Sequence, residues 1–246
     1  MSENLSAIEV MKSHRSIRKF TDDEIPYKLL IDLIRVGQSG STSSHVQAYS
    51  IIRVKDKANR KKISELAGGQ ASVAECAEFL VFCADMKRSA EASENIGNNV
   101  IRGMTEQLIL ATVDTAIVAQ NVAIAAELHG LGICYIGGIR NEPSSISELL
   151  HIPEDVYPVF GMCIGYPASD PDVKPRLPIE SILKDDYYSG DGEEVDAFNK
   201  VMADYYMTRK TGNKRSSWAE QLSPVFNQKT RPHMQSFLKS KGFGTK

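Results

Sequence analysis

Apolar residues fall at Leu29, Leu30, Leu33 and Ile34, a stripe at helical spacing that predicts a helix over residues 26–36. Residues 21–24 supply capping material and Gly37 its stop. A shorter helix is predicted over residues 5–12. Apolar runs at 49–54, 79–84, 133–136 and 156–164 predict four strands, the last interrupted by Pro158 and Gly161. Asp56 caps a helix that runs to Leu66 and ends at Gly68-Gly69, and Pro143 opens a short helix to Leu150. Residues 86–103, with few apolar positions, predict a mobile excursion.

The longest apolar stretch, residues 108–128, lies in a helix predicted over 104–129. Asp114, Gln120, Asn121 and Glu127 interrupt it. Four polar groups would be costly in a lone membrane span, so the pattern predicts a helix buried in a core or a subunit interface. Beyond it the chain turns Pro- and Asp-rich over about 166–192, an extended arm. Helical signals resume in a tail over about 193–246. With no internal repeat and no hinge-like linker, residues 1–246 read as one domain.

Composition narrows the function classes. A 246-residue chain with 42% hydrophobic residues buries an ample core. Its formal charge of -2 argues against a general nucleic-acid or anionic-membrane binder. Cys76, Cys83, Cys134 and Cys163 form no C-x-x-C pair and three sit in apolar runs, so buried free thiols are expected. The five histidines show no metal-binding spacing, and no metal is expected. The first four residues lack the basic and apolar regions of a secretory signal. These features together predict a cytoplasmic protein.

Two basic clusters stand out against this neutral background. His14-Arg15-Ser16-Ile17-Arg18 gathers Arg forks, a hydroxyl and backbone N–H groups, the donors that a multidentate hold on phosphate requires. Lys174-Pro175-Arg176-Leu177-Pro178 forms a cationic pincer, because each proline biases the residue before it toward extended geometry. Between them, Tyr135-Ile136-Gly137-Gly138 runs a strand into paired glycines that let a flat group approach the backbone. A Rossmann fingerprint, a P-loop and a G-x-S-x-G elbow are all absent. Phosphate-seeking clusters without a nucleophile motif suit a protein whose bound cofactor carries the chemistry.

These motifs, with Ser41-Thr42-Ser43-Ser44, Gly68-Gly69-Gln70, Gly161-Met162-Cys163-Ile164-Gly165, Arg209, Trp218 and Arg231-Pro232-His233, occur in the order seen in FMN-dependent nitroreductases. The chain resembles the oxygen-insensitive NADPH nitroreductase and NADPH-flavin oxidoreductase group over nearly its whole length. The resemblance implies an α+β nitroreductase-like fold: a mixed, mostly antiparallel sheet flanked by helices in an intertwined homodimer. It implies ping-pong hydride transfer from NADPH through bound FMN to nitroaromatics, quinones or free flavin.

By the same resemblance His14, Arg15, Ser16, Lys174 and Arg176 are phosphate and ribityl ligands, and Arg18 lies near the N1/O2 edge of the flavin. Gln70 reads the pyrimidine edge, the Gly137-Gly138 backbone packs near N5, Tyr135 and Ile136 also contact the cofactor, and Ser41, Thr42 and Ser43 line the pocket. Ser44 and His45 face substrate, and Arg209, Lys214, Arg215 and Arg231 hold NADPH phosphates. Lys214 stands where a close relative has Arg, and His45 where relatives carry an apolar residue. Two alternatives stay open: a flavin reductase that supplies reduced FMN to a partner enzyme, and an FMN-binding module without turnover.

Overall fold

The four apolar runs become β1 (Tyr49–Arg53), β2 (Glu78–Asp85), β3 (Gly132–Ile136) and β4 (Val156–Gly165) in a computed structural model that describes residues 6–246. Residues 1–4, read for a targeting signal, and Leu5 lie outside the described residues. The strands pair in the order β1-β2-β4-β3, antiparallel at every junction. The sheet thus sits at the antiparallel end of the expected α+β class. Strand β4 is continuous through both predicted interruptions. Opposite Pro158, which cannot donate to the ladder, the register shifts between Phe82 and Cys83. Gly161 makes room for a ring, since a Cβ there would stand 2.5 Å from Phe79 Cζ.

The helices are α1 (Ala7–Lys12), α2 (Tyr27–Gln38), α3 (Lys57–Leu66), α4 (Ala71–Glu75), α5 (Lys87–Glu94), α6 (Thr105–Leu128), α7 (Pro143–Leu149), α8 (Ile179–Ile182), α9 (Glu194–Thr208), α10 (Trp218–Phe226) and α11 (Met234–Ser240). Ser6 and Glu9 form a capping box on α1, and Asp56 caps α3 through the Asn59 N–H. Helix α2 does not stop at Gly37. Gly37 is buried within it, and a Cβ there would meet Val122 Cγ2 of α6 at 2.6 Å. The glycine serves close helix packing.

Helix α6 has the length and mean hydropathy, 1.7, of a membrane span. Its inner face, including Val118, Ala119, Val122 and Ala126, is buried with Leu30 and Leu33 of α2 and with Leu80, Ile133 and Met162 of the sheet. Core placement explains the apolar inner face. The excursion expected over 86–103 instead contains α5. In α5 only Ala90 is buried, and ion pairs from Arg102 to Glu94 and to Asp155, the latter at 2.8 Å, tie the segment down.

By compactness the chain divides into one unit running to Ser169 and including Arg231–Lys246, and a second unit, Asp170–Thr230. The sheet, α1 to α7 and α11 belong to the first. Phe237 and Phe243 complete its core beside Ala48, Ala84, Ala111 and Tyr157. The second carries α8, α9 and α10 around Phe198, Met202 and Tyr206, with Trp218 set edge-on to Phe198 at 5.6 Å. The predicted arm is extended apart from α8, and the predicted tail is shared between the two units.

Candidate functional site

Strand β3 is an edge strand, and the basic segment at 14–21 is stitched along it. The Ile17 N–H donates to the Ile133 carbonyl at 2.9 Å, and Ile17 lies over Gly132, where a Cβ would approach Ile17 Cγ1 to 2.5 Å. Beyond β4, the Thr21 N–H donates to the Tyr166 carbonyl and the Ala168 N–H to the Lys19 carbonyl, both at 2.9 Å. Ile17 is buried, His14, Arg15 and Ser16 are half-buried and Arg18 is exposed. The Arg15 Nη1 donates to the Ser13 carbonyl at 3.0 Å. Burial pushes the Cys134 thiol up, and the charge of Arg18 partly offsets this.

At its other end β3 runs into a 3-10 turn, Gly137–Asn141. A five-residue strand spans about 14 Å between Cα atoms, so the basic segment and the glycine turn bracket a stretch the length of a small elongated ligand. A Cβ on Gly138 would stand 2.4 Å from the Ala67 carbonyl oxygen. The glycine is therefore required by packing against the α3 terminus, a reason nearer than the flavin contact expected of it. Gly137 is open except for Arg140 Nη2, 3.3 Å from its Cβ position. The same packing brings in the Gly68-Gly69 turn and exposed Gln70, whose carbonyl accepts from Ser64 Oγ at 2.8 Å.

Tyr135 is half-buried with its hydroxyl 3.3 Å from Gln120 Oε1, its ring edge-on to Phe160 at 5.1 Å, and its phenol raised by burial. Ile136 belongs to the core, leaving only its backbone for a ligand.

The loop at 41–48 leaves α2 over α6. The two carboxylate oxygens of Asp114 accept the backbone N–H groups of Ser43 at 3.0 Å and Ala48 at 3.1 Å. Between these anchors Ser44, His45 and Gln47 take positive φ of 47°, 57° and 53°. Ser41, Ser43, Ser44 and His45 are exposed and Thr42 is half-buried. The polar positions on α6 thus have work that their sequence pattern signalled without identifying. Asp114 holds this loop, Gln120 meets Tyr135, and Glu127 pairs with His14, whose Nδ1 lies 2.5 Å from Glu127 Oε1.

Within the second unit Lys174 and Arg176 are exposed, and Arg176 Nη1 folds back onto the Lys174 carbonyl at 2.7 Å. Arg209 ends α9. Its guanidinium donates to the Gly212 carbonyl and lies 5.0 Å from the Tyr206 ring centre, while Lys214 Nζ lies 4.9 Å from the same centre. Arg215 is exposed beside them. Arg231 belongs to the first unit. There its Nε donates to Asn141 Oδ1 at 2.9 Å, next to the glycine turn. Burial and the Arg231 charge lower the proton affinity of Arg140, and His233 Nε2 meets the Arg140 carbonyl at 3.0 Å. All four cysteines are free and buried.

Residues 11–166 match the Nitroreductase family and residues 174–246 match Nitroreductase family, C-terminal domain. The chain is 41% identical over 240 residues to an oxygen-insensitive NADPH nitroreductase of Salmonella typhimurium (strain LT2), covering 97% of this chain and 98% of the relative. It is 39% identical over 244 residues to an FMN reductase (NADPH) of Bacillus subtilis (strain 168), with 97% and 98% covered. The structure of NfrA1 nitroreductase from B. subtilis superimposes with a TM-score of 0.94 at 38% identity, covering 98% of this chain and 100% of that one.

Proposed function

The chain belongs to the nitroreductase family, and on that premise we propose an FMN-dependent NAD(P)H oxidoreductase that passes electrons from NADPH to nitroaromatics, quinones or free flavin. When bound, FMN supplies the redox-active ring that the side chains lack. The observation that carries the reading is the bracket along β3: the cluster of His14, Arg15, Ser16 and Arg18 at one end, and the open Gly137 backbone beside the Gln70 turn at the other.

The residues present fit the cofactor. Guanidinium forks and a hydroxyl suit a phosphate, the exposed Gln70 amide suits a pyrimidine edge, and a cation at Arg18 favours charge developing on a reduced ring. Ser41, Thr42 and Ser43 line the pocket, with Ser44 and His45 toward the acceptor. Lys174 and Arg176 keep the phosphate role that resemblance assigns. Arg209, Lys214 and Arg215 bind the NADPH phosphates; cations already ordered over Tyr206 support this. Arg231 has a different support, its bond to Asn141, and we assign it to the rim of the glycine turn.

The active form is a homodimer. Ile109, Val113 and Ile117 form an exposed apolar stripe on α6, one turn apart, which a second copy would cover. The enzyme is placed in the cytoplasm, where the four free cysteines stay reduced.

The test is to purify the protein, quantify flavin and follow NADPH oxidation with nitro compounds, quinones, azo dyes, chromate and free FMN. Yellow protein with about one FMN per chain and acceptor-dependent oxidation is expected. Bound flavin without NADPH oxidation would favour a binding module, and a colourless protein that ignores added FMN defeats the reading.

A further inference from the structure

We propose that Glu127 is a positioning residue for phosphate capture, holding the His14 ring so that Nε2 is presented to the phosphate of FMN. The inference rests on the function proposed above and deepens it by adding a residue that neither the motifs nor the relatives' names single out.

The geometry is specific. His14 Nδ1 and Glu127 Oε1 are 2.5 Å apart, the side chain of Glu127 is 12% exposed and that of His14 is 32% exposed. A carboxylate only accepts, so Nδ1 carries a proton in this pair. That assigns the remaining face of the ring to Nε2, which has no partner among the described residues. To donate to an anion there, the ring must hold both protons, and the carboxylate behind it supplies the matching charge. Glu127 is itself fixed, since it lies in the last turn of the 24-residue α6, whose neighbours Ala125 and Ala126 are buried in the core. The rigid helix therefore sets the direction in which His14 points. The same logic governs histidines held from behind by carboxylates at metal and catalytic sites.

The requirement is selective. A group acting through the phosphate matters for FMN and not for riboflavin, which has the same ring and ribityl chain without the phosphate. Flavin-free protein is titrated with FMN and with riboflavin by fluorescence quenching, for wild type, Glu127→Gln, Glu127→Asp, His14→Asn and the double variant His14→Asn/Glu127→Gln. Inorganic phosphate is then added as a competitor of FMN. Glu127→Gln should weaken FMN binding about tenfold, the loss of one charge-assisted bond. Riboflavin binding should be unchanged, Glu127→Asp should recover part of the loss, and phosphate should compete less well.

In the double variant, Glu127→Gln should add nothing to the loss from His14→Asn, because it acts through that ring. Equal losses for FMN and riboflavin, or no loss for either, overturn the positioning role while leaving the enzyme reading intact. Wild-type protein that binds neither flavin overturns both.

Discussion

Asp114 shows how one buried carboxylate decides the path of a loop. At 1% exposure both its oxygens are occupied by backbone N–H groups, at Ser43 and at Ala48. Asn in its place turns one acceptor into a donor facing an N–H group. We expect Asp114→Asn to cost about 1–3 kcal/mol, read as a lower denaturant midpoint at unchanged slope. A second residue sets a pH limit. Burial pushes the Cys83 thiol up to about 12, from the 9.0 of a free thiol. Between those values the unfolded chain has released a proton that the folded chain keeps. Stability from this group is therefore intact below about 9 and falls at higher pH, by up to about 1.4 kcal/mol per pH unit. Chemical denaturation from pH 7 to 10.5 checks this, and Cys83→Ala should flatten the high-pH decline.

Among the elements, the contact between α2 and α6 is set by Gly37. Alanine there gains helix propensity of about 0.5–1 kcal/mol. Its Cβ, however, falls 2.6 Å from Val122 Cγ2 and 3.3 Å from Val118 Cγ1, both on stiff β-branched side chains. Overpacking of this kind costs about 1–3 kcal/mol, so repulsion outweighs propensity and Gly37→Ala should be net destabilising. Equilibrium unfolding gives the sign. If instead Gly37 merely ended α2, alanine would be neutral or stabilising.

For the whole molecule, the outer stripe of α6 leads to an expected change of assembly. Val113 is 50% exposed in the single chain, so an aspartate there costs the isolated fold little. In an apolar subunit interface the same charge would be buried without a partner, at a cost of several kcal/mol. Val113→Asp should therefore convert a dimer to monomers in sedimentation velocity at micromolar concentration, with folded helix content retained. A wild-type chain that sediments as a monomer with bound flavin contradicts the proposed dimer.

The strand runs, the Asp56 and Pro143 helix starts and the buried character of α6 were legible in the sequence, because they depend on local periodicity and on which groups water must not lose. Order along the chain also carried the family and the types of residue suited to an anion. Other features depended on neighbours distant in sequence. Gly37 reads as a stop until Val122 is seen beside it, and nothing in the sequence signals that a Cβ on Gly138 would meet the Ala67 carbonyl. Residues 86–103 read as loose until Arg102 meets Asp155. The bond of Arg231 to Asn141, 90 residues away, leaves no trace in the sequence. Asp114 and Glu127 appeared in the sequence only as polar interruptions of an apolar helix. Their roles emerged with the packing of α6 beneath a loop and beneath His14, because a buried carboxylate is placed by the partners it must satisfy, and those partners are 71 and 113 residues away along the chain.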